Sequence, residues 1–166
     1  MAEDKVVNLP VKESLWDTFE HILLFISLYV FAIAFTLMLH QFIDGISPAA
    51  ENTNALRYVS KYLVRGYLAS LIVSYPLFSF FFLRVKKRAQ KNPDVRHLAS
   101  RKRLIYFTMI VAFIIVLINI TSIIYNFLSG NVTLNFLLHF AATVGVASII
   151  FAYLLNEIKE ERKAYA

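Results

Sequence analysis

The feature that most constrains the fold of this chain is a set of four long apolar segments. They cover residues 19–43, 63–83, 104–128 and 134–155, more than half of the 166 residues. A helix needs about 20 residues to cross a hydrocarbon core of about 30 Å. A soluble chain of this length could not cover four such helices with polar surface. The sequence therefore predicts an all-α polytopic membrane protein with four transmembrane helices in an antiparallel bundle.

The composition supports a membrane location and argues against several classes of function. The mean hydropathy is +0.60, and 15% of the residues are aromatic against 17% charged. Strand-like alternation is absent and the apolar segments are too long for barrel strands. The chain has no cysteine, which excludes disulfides and thiolate catalysis. It has no phosphate-binding loop, zinc-protease motif or nucleophile elbow, so we expect no enzymatic activity.

Turn-forming residues set the expected helix bounds. We predict helices over about 15–43, 54–89, 101–128 and 133–158, in a single domain 14–158 with tails at 1–13 and 159–166. Asp44 and Gly45 are expected to end the first helix. Pro76 is expected to kink the second, and Thr133 to cap the fourth after a tight turn at 129–131.

The distribution of basic residues predicts the orientation. Loop 84–103 holds most of the basic residues and a single acid, Asp94, while loop 129–133 has no charge. The positive-inside rule then places this basic loop and both termini in the cytoplasm, in the plasma (inner) membrane. The loop lacks the aromatic residues typical of nucleic-acid binding, so we expect it to contact anionic lipid headgroups. The residues predicted for this contact are Arg84, Lys86, Lys87, Arg88, Arg101, Lys102 and Arg103.

Polar residues within the apolar segments are the main functional signal, because such groups are costly in a bilayer. The direction of each helix and a rise of about 1.5 Å per residue place most of them in the outer half. The pattern predicts an outward-facing polar pocket above an apolar inner plug. The candidate pocket residues are His40, Gln41, Arg65, Asn119, Ser122, Asn126 and His139. At the inner end, Asp17 and Glu20 resemble a helix-capping pair.

Several functions fit such a pocket. An oligomeric ion channel or small-solute transporter could be lined by Arg65 and Asn119. Two histidines at similar depth, His40 and His139, could bind a b-type haem. Arg65 extending to the headgroups and an interhelical hydrogen bond from Asn119 are the purely structural alternatives. We predict neither a metal site nor a resident cofactor, because a metal would need a third ligand.

Small residues recur at helical spacing in two of the predicted helices. Such faces allow helices to approach closely in lipid, either within a bundle or between copies of a chain. Packing within the bundle is the simpler interpretation, and one face could serve each purpose. The residues are Gly66, Ser70 and Ser74 in the second helix, and Ala141, Gly145, Ser148 and Ala152 in the fourth.

Short segments spread along the chain resemble a known family. They include Ala69-Ser-Leu-Ile-Val-Ser-Tyr-Pro76, Arg101-Lys-Arg-Leu-Ile-Tyr106 and Tyr125-Asn-Phe-Leu-Ser-Gly130. Over about 17–160 the sequence is similar to a bacterial family of small four-helix membrane proteins catalogued only as a domain of unknown function. The resemblance implies four helices and a basic inner loop, and it supplies no activity. Asn119 stands where that family commonly has an aspartate, which weakens a cation-conducting role.

The leading hypothesis is a non-enzymatic integral membrane protein. Its small size, absent catalytic motifs and two small-residue faces favour action through self-assembly or as an accessory subunit of a membrane complex. The expected partners are the lipid bilayer and a membrane protein, with a homo-oligomer as the simplest case.

Overall fold

Four α-helices make up the part of the chain that the structure describes. The computed structural model describes residues 15–46, 61–91 and 99–163, with no strand in these ranges. The helices are α1 (Leu15–Ile46), α2 (Lys61–Lys91), α3 (Ala99–Leu128) and α4 (Leu134–Lys163). Each is long and apolar enough to cross a membrane. The predicted all-α fold with four membrane-spanning helices is confirmed.

Two helices are longer than the sequence pattern suggests. α1 continues through Asp44 and Gly45 to Ile46, because a glycine in the last turn of a helix costs little and Asp44 is held by a residue of α4. α4 continues to Lys163 instead of ending near 158, because Glu, Lys and Arg are good helix formers even where the apolar pattern stops. The predicted start of α2 at 54 and the tail 1–13 lie outside the described residues.

A tight turn joins α3 to α4, as the sequence predicts. The Gly130 N–H donates to the Phe127 carbonyl (3.1 Å) and the Asn131 N–H to the Asn126 carbonyl (3.0 Å). Gly130 has φ 69°, the left-handed conformation that ends many helices in this way. The Thr133 hydroxyl then accepts from the Phe136 N–H (3.2 Å) and caps α4. The two helices therefore form an antiparallel hairpin.

α1 is the central helix of the bundle, since it contacts each of the other three. Ring contacts join Phe31 of α1 to Tyr75 and Phe78 of α2. Glu20, earlier in α1, contacts Arg84, later in α2, so these helices run antiparallel. The Tyr29 hydroxyl of α1 lies 2.8 Å from the Thr108 hydroxyl of α3. Pro76 lies inside α2, which remains helical on both sides of it.

The bundle has two chemically different ends. The first, which we call the charged end, contains the N-termini of α1 and α3 and the C-termini of α2 and α4. The second, which we call the histidine end, contains the opposite termini. A small apolar core of Phe25, Ile105, Leu154 and Ile158 from α1, α3 and α4 lies toward the charged end.

Most of the apolar surface of the helices is turned outward. In the most apolar 18-residue stretch of α1, only 17% of the stretch is buried within the chain. The corresponding share is 11% in each of α2, α3 and α4. Large side chains such as Ile72, Ile118 and Ile149 are well exposed. A surface this apolar requires a lipid or protein environment.

Candidate functional site

An ionic cluster joins α1 to α2 at the charged end. Arg88 Nη1 lies 2.7 Å from Asp17 Oδ1 and 3.0 Å from Glu20 Oε2. Arg84 Nε lies 2.9 Å from Glu20 Oε1, although the atoms are not aligned as a hydrogen bond. The Glu20 side chain is only 3% exposed, whereas those of Arg84 and Arg88 are 42% and 37% exposed. We call these four residues the Glu20 cluster.

A second ion pair links the other two helices, α3 and α4, at the same end of the bundle. Arg101 of α3 donates through Nη2 to Glu157 Oε1 of α4. Beside them on α1, His21 is buried, and its Nδ1 lies 2.7 Å from the Asp17 carbonyl oxygen. The other ring nitrogen, Nε2, is buried without a hydrogen-bond partner in the part of the chain that the structure describes. All four helices thus contribute charged groups to this end.

A buried ion pair adds little net stability, but an arrangement of the helices that breaks it is strongly disfavoured. Desolvation offsets much of the attraction between such charges, but removing one partner leaves the other uncompensated. The Glu20 carboxylate is nearly inaccessible to water, so an alignment of α1 and α2 that moved the arginines of α2 away from it would leave a buried charge without a partner. The cluster therefore fixes the alignment of these two helices.

A group of polar side chains lies between α1 and α4 at the histidine end. The rings of His40 and His139 meet edge to face, with centroids 4.6 Å apart. His139 Nε2 lies 3.1 Å from Asp44 Oδ1, and His40 Nε2 lies 2.9 Å from the Thr143 hydroxyl. Thr143 in turn donates to the His139 carbonyl (3.1 Å). We call these four residues the histidine cluster.

The geometry of the histidine cluster bears on the metal and haem hypotheses. Both Nε2 atoms have other partners, and the rings touch. A bis-histidine haem would need the porphyrin between them, so α1 and α4 would have to separate before haem could bind. Among the described residues, no group of His, Asp and Glu is arranged to hold a metal ion.

The remaining candidate pocket residues are dispersed. Arg65 is exposed on α2, and Gln41 is half-buried on α1. The Asn119 amide donates to the Ile115 carbonyl of its own helix (2.8 Å), instead of to a neighbouring helix. The Asn126 amide likewise donates to the Ser122 carbonyl (2.9 Å). Of the predicted pocket, the structure brings His40 and His139 together.

The two small-residue faces point in different directions. On α2, Gly66 is exposed, Ser70 is half-buried and Ser74 is buried, so this stripe turns into the bundle. On α4, Ala141, Ser148 and Ala152 are exposed, and a Cβ added at Gly145 would meet no atom within 4 Å. With about 3.6 residues per turn, these positions lie opposite the side of α4 that packs within the chain through Ala147, Leu154 and Ile158. We call Ala141, Gly145, Ser148 and Ala152 the α4 small face.

The basic residues predicted to contact lipid headgroups fall into different environments. Arg84, Arg88 and Arg101 all make ion pairs with carboxylates of the chain. Lys86 lies 5.9 Å from the centre of the Phe82 ring, and Lys87 is exposed. Lys102 is half-buried and Arg103 exposed, and both make further polar interactions. Headgroup contact stays a prediction for these residues.

Sequence reasoning missed the acidic half of the Glu20 cluster. The Glu20 carboxylate is directed toward α2, so its interpretation as part of a capping pair is wrong. The signal was available, because four antiparallel crossings place Asp17 and Glu20 at the same end as the basic loop. The Thr143 contact and the buried Asn135 were also missed, since both depend on how α4 is rotated.

These features define a multi-pass membrane protein built as a four-helix bundle, with an ionic cluster at one end and histidines at the other. Residues 17–154 match the family described as Domain of unknown function (DUF5671), and the chain belongs to that family. This confirms the resemblance to a family of unknown function that the short sequence motifs indicated, while a bacterial origin stays a prediction. No match was found among curated proteins or among solved structures.

Proposed function

We propose that this protein has no enzymatic activity and works as an assembly with other copies of itself, in contact through the α4 small face. The observation that carries the proposal is the direction of that face. Ala141, Ser148 and Ala152 are exposed on the side of α4 that points away from the rest of the chain. Helix contacts in membranes are enriched in small residues, because these let backbones approach closely.

Gly145 strengthens the argument. A small residue inside a bundle is normally explained by a neighbouring helix that leaves no room for a side chain. Here a Cβ at Gly145 would meet no atom of the described chain within 4 Å, so packing within the chain does not account for the glycine. A second copy approaching α4 would account for it, together with the small residues one turn on either side.

The orientation belongs to the same proposal. The charged end carries the predicted basic loop, and the positive-inside rule favours the cytoplasm for that end. Both termini would then be cytoplasmic and the histidine cluster would face the outside of the plasma (inner) membrane. Single-site labelling supports this if Ser129→Cys reacts with an impermeant maleimide in intact cells, and the reverse accessibility would contradict it.

The assembly is tested by measuring the mass of the protein in lipid nanodiscs. We expect more than one copy per particle for the natural sequence and a monomer for Gly145→Leu, whose added Cβ would meet no atom of the single chain within 4 Å. Gly66→Leu on α2 is the matched control, because its Cβ also meets nothing within 4 Å. It should leave the assembly intact, because the small residues that follow it, Ser70 and Ser74, turn into the bundle and form no exposed small face. A monomeric natural protein, or loss of assembly with Gly66→Leu alone, would contradict the proposal.

The wider alternative is an accessory subunit. In that case the same face would bind a different membrane protein. Purification would then yield one copy of this chain with a second polypeptide, and Gly145→Leu would release that polypeptide. This outcome would replace the self-assembly proposal.

A second candidate function is a channel or small-solute transporter, supported by the histidine cluster. Four polar side chains converge between α1 and α4, which is costly in a membrane unless they bind something or hold the helices together. Flux into proteoliposomes that falls with His139→Leu would support transport. Unchanged flux with His139→Leu and with the sequence-based candidates Arg65→Ala and Asn119→Leu would contradict it.

The haem alternative is tested by the Soret band after haem-sufficient expression, which should vanish with His40→Ala.

A further inference from the structure

A groove at the charged end of α2 collects basic side chains. It has a volume of about 310 Å³, and Arg84, Lys87, Arg88 and Gln90 line it. Arg84, Lys87 and Arg88 are spaced three and four residues apart, so they lie on one face of the helix. Lys86, between them in sequence, lies on another side and approaches the Phe82 ring. We propose that this groove binds the phosphate group of an anionic lipid headgroup.

The Glu20 cluster holds the two arginines of the groove in place. Arg84 makes its ion pair with Glu20 through Nε, and Arg88 makes its ion pairs with Asp17 and Glu20 through Nη1. A guanidinium carries five N–H donors, so each arginine keeps donors for a further acceptor. Both side chains remain more than a third exposed, so these donors are accessible. The carboxylates thus orient the arginines without exhausting them.

The charge of the groove matches a phosphodiester. Arg84, Lys87 and Arg88 supply three positive charges, and the neighbouring Asp17 and Glu20 supply two negative ones, which leaves a difference of one positive charge (3 − 2). Lys87 makes no ion pair within the described ranges. A phosphodiester carries one negative charge, which would balance this excess. Its oxygens accept several hydrogen bonds, so they can pair with the N–H donors of the two arginines and the lysine.

The position of the groove selects a lipid as the source of the phosphate. Arg84 lies 6.0 Å from the centre of the Phe80 ring, so the groove begins where the apolar part of α2 ends. Phe80 and Leu83 are exposed beside it and would contact acyl chains. The phosphates found at this depth of a bilayer belong to lipid headgroups. This inference does not depend on self-assembly.

Lys87→Gln tests the site, because it removes a groove charge and leaves the Glu20 cluster intact. The full chain is purified in nanodiscs that contain phosphatidylglycerol in a phosphatidylcholine background, and retained phosphatidylglycerol is counted by native mass spectrometry after transfer to detergent. Losing one charged hydrogen bond should weaken retention about tenfold. Lys86→Gln is the matched control, with the same charge change on another side of α2, and it should retain lipid as the natural sequence does.

Three results would overturn the proposal. Equal loss with Lys86→Gln and Lys87→Gln would mean diffuse surface electrostatics. Equal retention of phosphatidylcholine, whose phosphodiester is balanced by a quaternary ammonium group, would mean that the net negative charge of the headgroup is not recognised. Displacement of the lipid by inorganic phosphate alone would mean a site for free phosphate.

Discussion

The Glu20 cluster predicts an unequal response to the removal of its positive and negative partners. Glu20 is 3% exposed, so its carboxylate cannot reach water, while the arginines are 42% and 37% exposed and can turn toward headgroups. In Glu20→Gln the arginines lose a charged partner but are re-solvated. In the double variant Arg84→Gln with Arg88→Gln, the carboxylate stays buried without a cation.

The two losses of stability can be estimated. A buried ion whose partner is removed costs about 3–5 kcal/mol, and we expect this range for the double arginine variant. For Glu20→Gln we expect about 1–2 kcal/mol, because hydrogen bonds to charged groups are lost but the exposed arginines recover hydration. The triple variant, which lacks all three charges, should therefore be more stable than the double variant.

Unfolding in mixed micelles with increasing dodecyl sulfate measures these differences. Trp16, the single tryptophan, lies next to Asp17 and reports on this end by fluorescence. The double substitution Lys86→Gln with Lys159→Gln removes two positive charges from the same end and controls for net charge. If Glu20→Gln lost more stability than the double arginine variant, or if the triple variant were the least stable, the reasoning about the buried carboxylate would be refuted.

Four further variants, one of them a control, test other parts of the fold by the same unfolding measurement. Tyr29→Phe removes the α1–α3 hydrogen bond to Thr108 and should lower the free energy of unfolding by about 0.6 kcal/mol, the average for such bonds in membranes. A decrease of more than about 2 kcal/mol would contradict this estimate. Gly130→Ala should cost about 1–2 kcal/mol because φ is 69°, whereas Gly66→Ala, in a helix with free space, should not destabilise. Thr133→Ala removes the α4 cap and should cost about 1 kcal/mol, and an unchanged stability would refute the capping role.

The helices could be predicted from the sequence, because each apolar segment matches the thickness of a bilayer. The turn between α3 and α4 could also be predicted, since Gly130 and Thr133 are residue types that end and begin helices. Depth followed from helix direction, so His40 and His139 were expected at the same level, and the structure places their rings in contact.

The rotation of each helix about its axis could not be predicted. A helix that is apolar on all sides carries little periodicity, so sequence did not tell which side of α4 packs inward. For this reason packing within the bundle was the preferred interpretation of the small residues of α4, and contact between copies was only the alternative. The contact of Glu20 with Arg84 joins residues far apart in the sequence, and it becomes visible only when α1 and α2 are aligned.

Disulfide cross-linking in native membranes tests the central claim, self-assembly through the α4 small face, most directly. The chain has no cysteine, so a single introduced cysteine reports on one position. We predict that Ser148→Cys forms a covalent dimer on mild oxidation, while Ile118→Cys, on the exposed side of α3, stays monomeric. A monomeric Ser148→Cys, or equal cross-linking at both positions, would contradict the account.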